Sequence, residues 1–377
     1  MVNRARKGLG SISSVAHMRL CSALLLLAVL AAVSAPLAAA PRDAAIGDAY
    51  LALVVRYHAG DRTAVTSDLA SWDTADLEAA FRALPTALGI ASEREGVSRT
   101  ALVATAIVAH LDVVRRAETT RDLDRHLAAG QRLTDLLPVD KPAMDFKAGW
   151  YHAAGTVMFR LSKYDAARQQ FEMARRLRPG DPAILLALGS AHEIEGTMRL
   201  RQRVEPALLG AQSDGARQES AEDRLEQAAD LYRAAIAMAP DLYEARLRLA
   251  RTRYLQGRVD AADAEAGALA AQVTDGHLRY LTLLIGGGIS ESAGRQREAV
   301  DKYRGARALC RGCQSATLAL SQILLRMGDR KGARDLVDRL VNVSAWPVPD
   351  DPWLDYQMGQ WYRIEAMLEQ LRGEVPA

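Results

Sequence analysis

The sequence predicts an all-α protein made of antiparallel helix pairs set side by side, and three observations carry that expectation. Aromatic residues make up 5% of the chain, Ala and Leu dominate, and β-branched runs are sparse, which favours helix over strand. The stretch from Ala148 to Asp181 reads as two helices folded back on each other. Tyr151, Ala154, Gly155 and Met158 mark the first, and Tyr164, Ala167, Phe171 and Ala174 the second, spaced three or four apart so that each set shares one face. Leu161-Ser162-Lys163 makes the turn, Pro179-Gly180 stops the second helix, and Asp181-Pro182 supplies an N-cap and a first-turn proline for the next. Marks of this unit then recur: Gly155 to Gly189, Gly294 to Gly328 and Ala299 to Ala333 are each 34 residues apart.

From the start of the chain, residues 1–40 read as a signal peptide. Arg19 precedes an almost unbroken apolar run from Leu20 to Val33, and Ala38-Ala39-Ala40 offers a small-residue cleavage site. The segment before Met18 is long for such a leader, and a start at Met18 gives a more ordinary one. The alternative is an uncleaved anchor, since Leu20 to Pro41 is 22 residues without a charge; Ala-rich sequence is only weakly apolar, which favours cleavage. Cys21 precedes the apolar run, the wrong side for a lipoprotein cysteine. Export to the periplasm or medium of a bacterial cell is the expectation, with membrane contact only through residues 20–41 if they are retained.

Residues 41–140 form an N-terminal helical region of less regular pattern. Ile46 to His58 is one helix, stopped at Gly60-Asp61; Thr63 to Trp72 is a shorter one; Leu77 to Leu84 ends at Pro85. Ala101 to Val114 is strongly apolar, and Leu123 to Leu137 is its amphipathic successor. That last pair reads either as a degenerate repeat or as the polar-faced cap that a repeat array needs at its end.

The regular array spans residues 141–346. After Gly196 the period breaks, and the second helix resumes only at Ala228, Tyr232 and Ala235. Period counting gives about 27 extra residues around 196–220, read as a loop or a loosely helical excursion. A third unit carries Leu249, Ala250, Gly257, Ala262 and Ala266. The fourth follows a slip near Gly276, with Gly287, Gly294, Ala299, Tyr303 and Ala306, and the fifth repeats it through Gly328 and Ala333. Asp351-Pro352 opens a last helix within 347–377, placed as a C-terminal cap, where Gly359 and Tyr362 match a first helix without a partner.

This pattern resembles the tetratricopeptide repeat, a helix pair of about 34 residues that recurs as a solenoid. The resemblance runs over roughly residues 148–342 and implies an α-solenoid whose first helices line a concave groove. In that family, positions five, nine, twelve and thirteen of the repeat face the groove. Here they give His152, Thr156, Phe159 and Arg160; Ser190 and Glu193; Arg251 and Tyr254; Glu291; Gln322 and Arg326. Arg160, Arg251, Tyr254 and Arg326, with His152 and Glu193, are the expected contacts to a partner, because Arg and Tyr anchor interfaces well. The same positions also suit an ordinary solvated face. The Lys/Asn clamp of chaperone-binding members is missing, and the family holds many unrelated partners.

Few side chains suggest chemistry. Cys310-Arg311-Gly312-Cys313 is the one pair left after signal removal, and in an exported chain it reads as a structural disulfide rather than a dithiol redox site, for want of a strand-then-helix context. Haem attachment needs His where Gln314 stands, and two thiols make a poor zinc site. His192-Glu193 lacks the second histidine of a zinc helix, since Gly196 occupies that place, and Gly286-Gly287-Gly288 lacks the Lys-Ser/Thr of a phosphate loop. No catalytic residue, metal or cofactor is expected. Lys and Arg number 48 against 46 Asp and Glu, and Arg4, Arg6, Lys7 and Arg19 fall in the leader. The near-neutral remainder gives no reason to expect nucleic acid. The leading reading is a non-catalytic scaffold for a protein or peptide; the alternative is an envelope-assembly or redox accessory factor working through Cys310 and Cys313.

Overall fold

The computed structural model describes residues 41–117, 120–208, 215–342 and 350–376, without the side chains of 202–208 and 215–220. The expected signal peptide lies outside the described residues. The described residues form seventeen α-helices and one 3-10 turn, with no strand among them. In order these are α1 (Pro41–His58), α2 (Arg62–Ala70), α3 (Thr74–Glu95), α4 (Arg99–Arg116), α5 (Thr120–Thr134), α6 (Lys141–Arg160), α7 (Tyr164–Leu177), α8 (Pro182–Leu208) and α9 (Gly215–Met238). There follow α10 (Tyr243–Leu255), α11 (Val259–Ala270), α12 (Gly276–Ser292), α13 (Gln296–Leu309), α14 (Gln314–Arg326), α15 (Arg330–Val341), α16 (Pro352–Gln357), the 3-10 turn Trp361–Arg363 and α17 (Ile364–Gly373).

The described residues fall into two compact units, one of them built from residues 41–52 together with 73–91. In it Gly47 lies so close to Ala83 that a Cβ would come within 2.6 Å of it, Tyr50 meets Phe81 edge-on at 5.8 Å, and Arg82 pairs with Asp43 at 2.8 Å.

The second unit holds residues 53–72 and everything from 92 onward. Helices α4/α5, α6/α7, α8/α9, α10/α11, α12/α13 and α14/α15 pack as consecutive antiparallel pairs, and from α6 onward each pair leans on the next. Small residues set how closely each pair closes. A Cβ on Gly155 would sit 2.6 Å from the Phe171 ring, and one on Gly189 2.6 Å from the Tyr232 ring; Gly287 faces Tyr303 in the same way. Only glycine admits an aromatic ring at that distance.

The turns between paired helices share one device. Gly257, Gly294 and Gly328 take left-handed φ values of 75°, 77° and 90°, and Ser162 takes 60° in the first such turn. Behind each, an amide reaches back across the helix end: Lys163 N–H to Met158 O at 3.0 Å, Arg258 to Arg253 at 2.9 Å, Arg295 to Ser290 at 2.8 Å, Asp329 to Leu324 at 2.9 Å. That closes carbonyls the helix leaves open, and glycine adopts the left-handed residue without strain.

The extra residues near 196–220 lengthen one hairpin. Helix α8 runs through Gly196 to Leu208 and α9 starts at Gly215, so the described part of the excursion is helical. Gly196 packs on Ala221 and Leu225, both buried, which ties the excursion to the hairpin body.

The last segment is broken rather than continuous. Asp351 caps α16 by accepting from Trp353 N at 3.0 Å; Gly359, at φ 66°, ends it; the 3-10 turn and α17 follow. Gly359 therefore serves as a helix stop, not as the close-packing residue of a first helix. Instead of extending the row of pairs past α15, the segment lies back along α12, α6 and α4.

Candidate functional site

The first helices α6, α8, α10, α12 and α14 present the residues expected to meet a partner, and the C-terminal segment lies across most of them as a strap. It begins beside α14. Asp351 is buried and accepts from Tyr280 Oη at 3.0 Å and from Ser315 N at 2.8 Å, at the open N–H end of that helix.

Further along stands a buried charge cluster. Glu193 of α8 is 1% exposed. Its Oε2 accepts from Tyr232 Oη at 2.7 Å and Arg248 Nη1 at 3.3 Å, and its Oε1 accepts from Tyr356 Oη at 2.8 Å and from Arg251 Nη1. Burial alone would raise the Glu193 carboxyl, but Arg251, Arg248 and the two phenols outweigh it and hold it below the usual carboxylate range. Burial and the neighbouring carboxylate push the Tyr356 phenol far up, so it remains a donor. The Arg248 guanidinium lies 3.9 Å over the Tyr356 ring, donates to Tyr356 O at 2.9 Å and pairs with Glu244 at 2.9 Å. Trp353 stacks on Tyr356 at 5.2 Å.

The strap continues onto α6. Gln360 meets His152 Nε2 at 2.8 Å and donates to Ala183 O at 3.3 Å. Arg160 stacks 4.0 Å over the Trp361 ring, and Tyr362 donates to Glu244 at 2.6 Å. Beyond this polar stretch α17 docks through apolar side chains: Ile364, Leu368 and Leu371 are buried, Leu371 against Gly149, with Arg372 paired to Asp112 at 3.0 Å.

The six residues expected to bind a partner thus divide. Glu193, Arg251 and His152 are buried and engaged by the strap or by one another, and Arg160 stacks on it from the surface. Arg251 is consequently not a free anchor whose loss leaves stability untouched. Tyr254 and Arg326 stand apart from that set. Tyr254 is half-buried on α10, and Arg326 pairs with Glu291 at the end of α14. The sequence reading missed Arg248, Tyr232, Asp351, Trp353, Tyr356, Gln360 and Trp361. The four aromatics Trp353, Tyr356, Trp361 and Tyr362 within ten residues of the last thirty were the available signal.

Where the strap begins, the face is open. A pocket of about 320 Å³ lies between α10, α12 and α14, lined by Leu284, Ile285, Tyr303, Leu318, Ala319 and Trp353, with Arg251, Tyr254, Ser315 and Gln322 as its further polar lining. Beside Glu193 the remaining space is about 10 Å³, so Tyr356 fills what would otherwise be the same groove.

Cys310 and Cys313 sit on the link between α13 and α14, their Cα atoms 5.4 Å apart and their sulfurs at bonding distance; Cys313 is fully buried. Among the described residues no group of three His, Cys, Asp or Glu is placed to hold a metal ion, and no single helix is long and apolar enough to cross a membrane.

Residues 220–284, from α9 into α12, match the family model described as tetratricopeptide repeat. No curated protein matches the chain. Among solved structures it is similar to PilF of Pseudomonas aeruginosa, at 14% identity and a TM-score of 0.41 over 60% of this chain and 90% of that one. It is also similar to MamA of Desulfovibrio magneticus RS-1, at 15% identity and a TM-score of 0.38 over 52% of this chain and 94% of that one.

Proposed function

We propose that this chain, whose paired helices and residues 220–284 match the tetratricopeptide repeat, is a non-catalytic scaffold, exported from a bacterial cell, that holds a protein or peptide partner on the face of its first helices. The observation that carries the reading is the open pocket of about 320 Å³ between α10, α12 and α14. Its lining is mostly aliphatic and aromatic with a guanidinium, phenols, a hydroxyl and an amide among it, and it continues the face on which the strap lies. Such a concave, mostly apolar site with a few polar groups suits a bulky apolar anchor side chain. Ala319→Trp fills the pocket from α14. It should abolish capture of the native partner while the helical signal and melting stay close to wild type; capture unchanged by Ala319→Trp puts the partner elsewhere. Export rests on the apolar run and Ala triplet ahead of residue 41, and N-terminal sequencing of envelope protein tests it: a chain retaining Leu20 to Val33 in the membrane fraction contradicts cleavage.

The complete burial of Cys313 supports a structural bridge to Cys310 over an accessible dithiol. Mass mapping of unreduced peptides checks it, and two free thiols in protein taken from an oxidising compartment refute it.

A further inference from the structure

We propose that residues 350–363 are a removable, built-in occupant of the partner-binding face, held by a permanent anchor at α17, and that the face accepts in trans a segment of the same chemistry. That chemistry is an acidic residue followed by aromatics two, five and ten positions on. The inference rests on the scaffold reading for its biological sense, but its test does not.

Three observations carry it. The array's cores draw little on this stretch. One buried cluster, built on α7, α8 and α9 with Phe159 of α6 and Ala245 and Leu249 of α10, contains no strap residue and meets the strap only where Phe159 lies against Gly359; the cluster over α10 to α15 receives only Tyr356, with Trp353 at its edge. The charges beneath the strap stay paired when it leaves: Glu193 keeps Arg248, Arg251 and Tyr232, and Arg248 keeps Glu244. Opening the strap therefore exposes satisfied polar groups to water and leaves no isolated buried charge.

The strap itself is built of two kinds of contact. From Asp351 to Tyr362 it is held by exchangeable hydrogen bonds and rings under guanidinium groups, at Tyr280, Ser315, Glu193, Arg248, His152 and Arg160. From Ile364 to Leu371 it is held by buried aliphatic side chains on α4 and α6. Water or a competing peptide replaces contacts of the first kind group for group and cannot replace the second. Fixing the strap at one end keeps its effective concentration high, so a partner must outcompete it.

The test uses the full chain and a labelled synthetic peptide of residues 350–363. Trp353→Ala combined with Tyr356→Ala loosens the strap in cis. The peptide should bind this variant at least about tenfold more tightly than it binds wild type, where the tethered strap competes. Adding Arg160→Ala to the variant should weaken that binding again. In wild type, amides of 353–363 should exchange with solvent faster than those of 364–373. A folded double variant that gains no peptide binding overturns the proposal. If the double variant does not fold, the wild-type exchange decides, and equal protection across 353–373 overturns it. Peptide binding that behaves as expected while Ala319→Trp leaves native capture intact would keep the strap proposal and sink the scaffold site, so the two fail separately.

Discussion

The helix pairs and the strap meet the same first helices from opposite sides, with contrasting chemistry. Inside three of the pairs the contact is a missing side chain: Gly155 under Phe171, Gly189 under Tyr232, Gly287 under Tyr303. Under the strap the contact is a surplus of groups: a carboxylate, two guanidiniums and two phenols around Glu193, and stacked rings on Arg160 and Arg248. The first kind says only that two helices approach closely, so it serves in any repeat. The second fits one sequence of side chains. A repeat protein can therefore keep its architecture generic and place its specificity on the face where no repeat packs.

The charge cluster offers the largest effect. Glu193→Ala leaves Arg248 and Arg251 buried without their shared carboxylate, and such a loss costs about 3–5 kcal/mol. Urea unfolding of the variant should show it as a lower midpoint with the slope retained. A loss as small as that of an exposed ion pair would mean that the cluster is open to water and that its chemistry differs less from the surface than drawn here. On the glycine side, Gly287→Leu drives a side chain into the Tyr303 ring and should cost about 3 kcal/mol, the upper end for overpacking. Thermal melting checks this, and Gly288→Leu is the control, because a Cβ there meets nothing closer than the Tyr303 hydroxyl at 3.7 Å.

The difference between the two faces also decides how much the sequence disclosed. Period, turns and seams were legible because each is a residue type repeated at one interval: Gly294 and Gly328 mark turns, Ala299 and Ala333 mark seams. The lengthened α8/α9 hairpin was visible as a broken period, but loop and helix stayed open as readings, because nothing in Gly196 to Ser220 repeats. The strap was illegible for a different reason. Tyr356 touches Glu193 across 163 residues and Gln360 touches His152 across 208, and no local pattern reports such a pairing. Arg251 and Glu193 were singled out as groove positions, and in the structure they face the chain's own C-terminal segment. Gly359 and Tyr362 mimicked a first helix because a glycine followed by tyrosine serves a helix stop as readily as a helix seam.

One hairpin tests the contrast from within. His110 and His126, both fully buried, meet Nδ1 to Nδ1 at 2.8 Å between α4 and α5, where three of the other pairs use glycine. One ring must donate and the other accept, so the contact needs at least one neutral histidine and is lost when both are protonated. Burial, with Arg125 nearby, lowers His126 to about 4, and burial together with His126 lowers His110 well below its usual value. Between about pH 6.5 and 4 the unfolded chain then binds more protons than the folded one. The contribution of these histidines is flat above that window and falls as the pH drops through it, by about 1–2 kcal/mol for each between pH 6.5 and 5. Chemical denaturation at pH 7.5 and 5 measures the drop. His126→Gln should shrink it without removing it, because His192 is lowered to about 4 as well, by burial and Arg224. An undiminished drop in His126→Gln would move the acid sensitivity away from this pair.

The smallest effect concerns Arg160, which lies on the surface with its guanidinium 4.0 Å over Trp361. An exposed cation over an indole is worth about 0.5–1 kcal/mol, so Arg160→Ala should hardly move the melting temperature. Its signature should be local: faster amide exchange at 359–363, with α17 and the hairpins unchanged. Arg160→Met separates the two parts of the contact, since it keeps an aliphatic stem on the ring and removes the charge. If Met restores the protection lost with Ala, packing of the stem holds Trp361, and the strap seam at this point is closer in kind to the glycine seams. If Met behaves as Ala does, the charge holds the ring, and a trans segment carrying an aromatic at that position would be recognised by the same guanidinium.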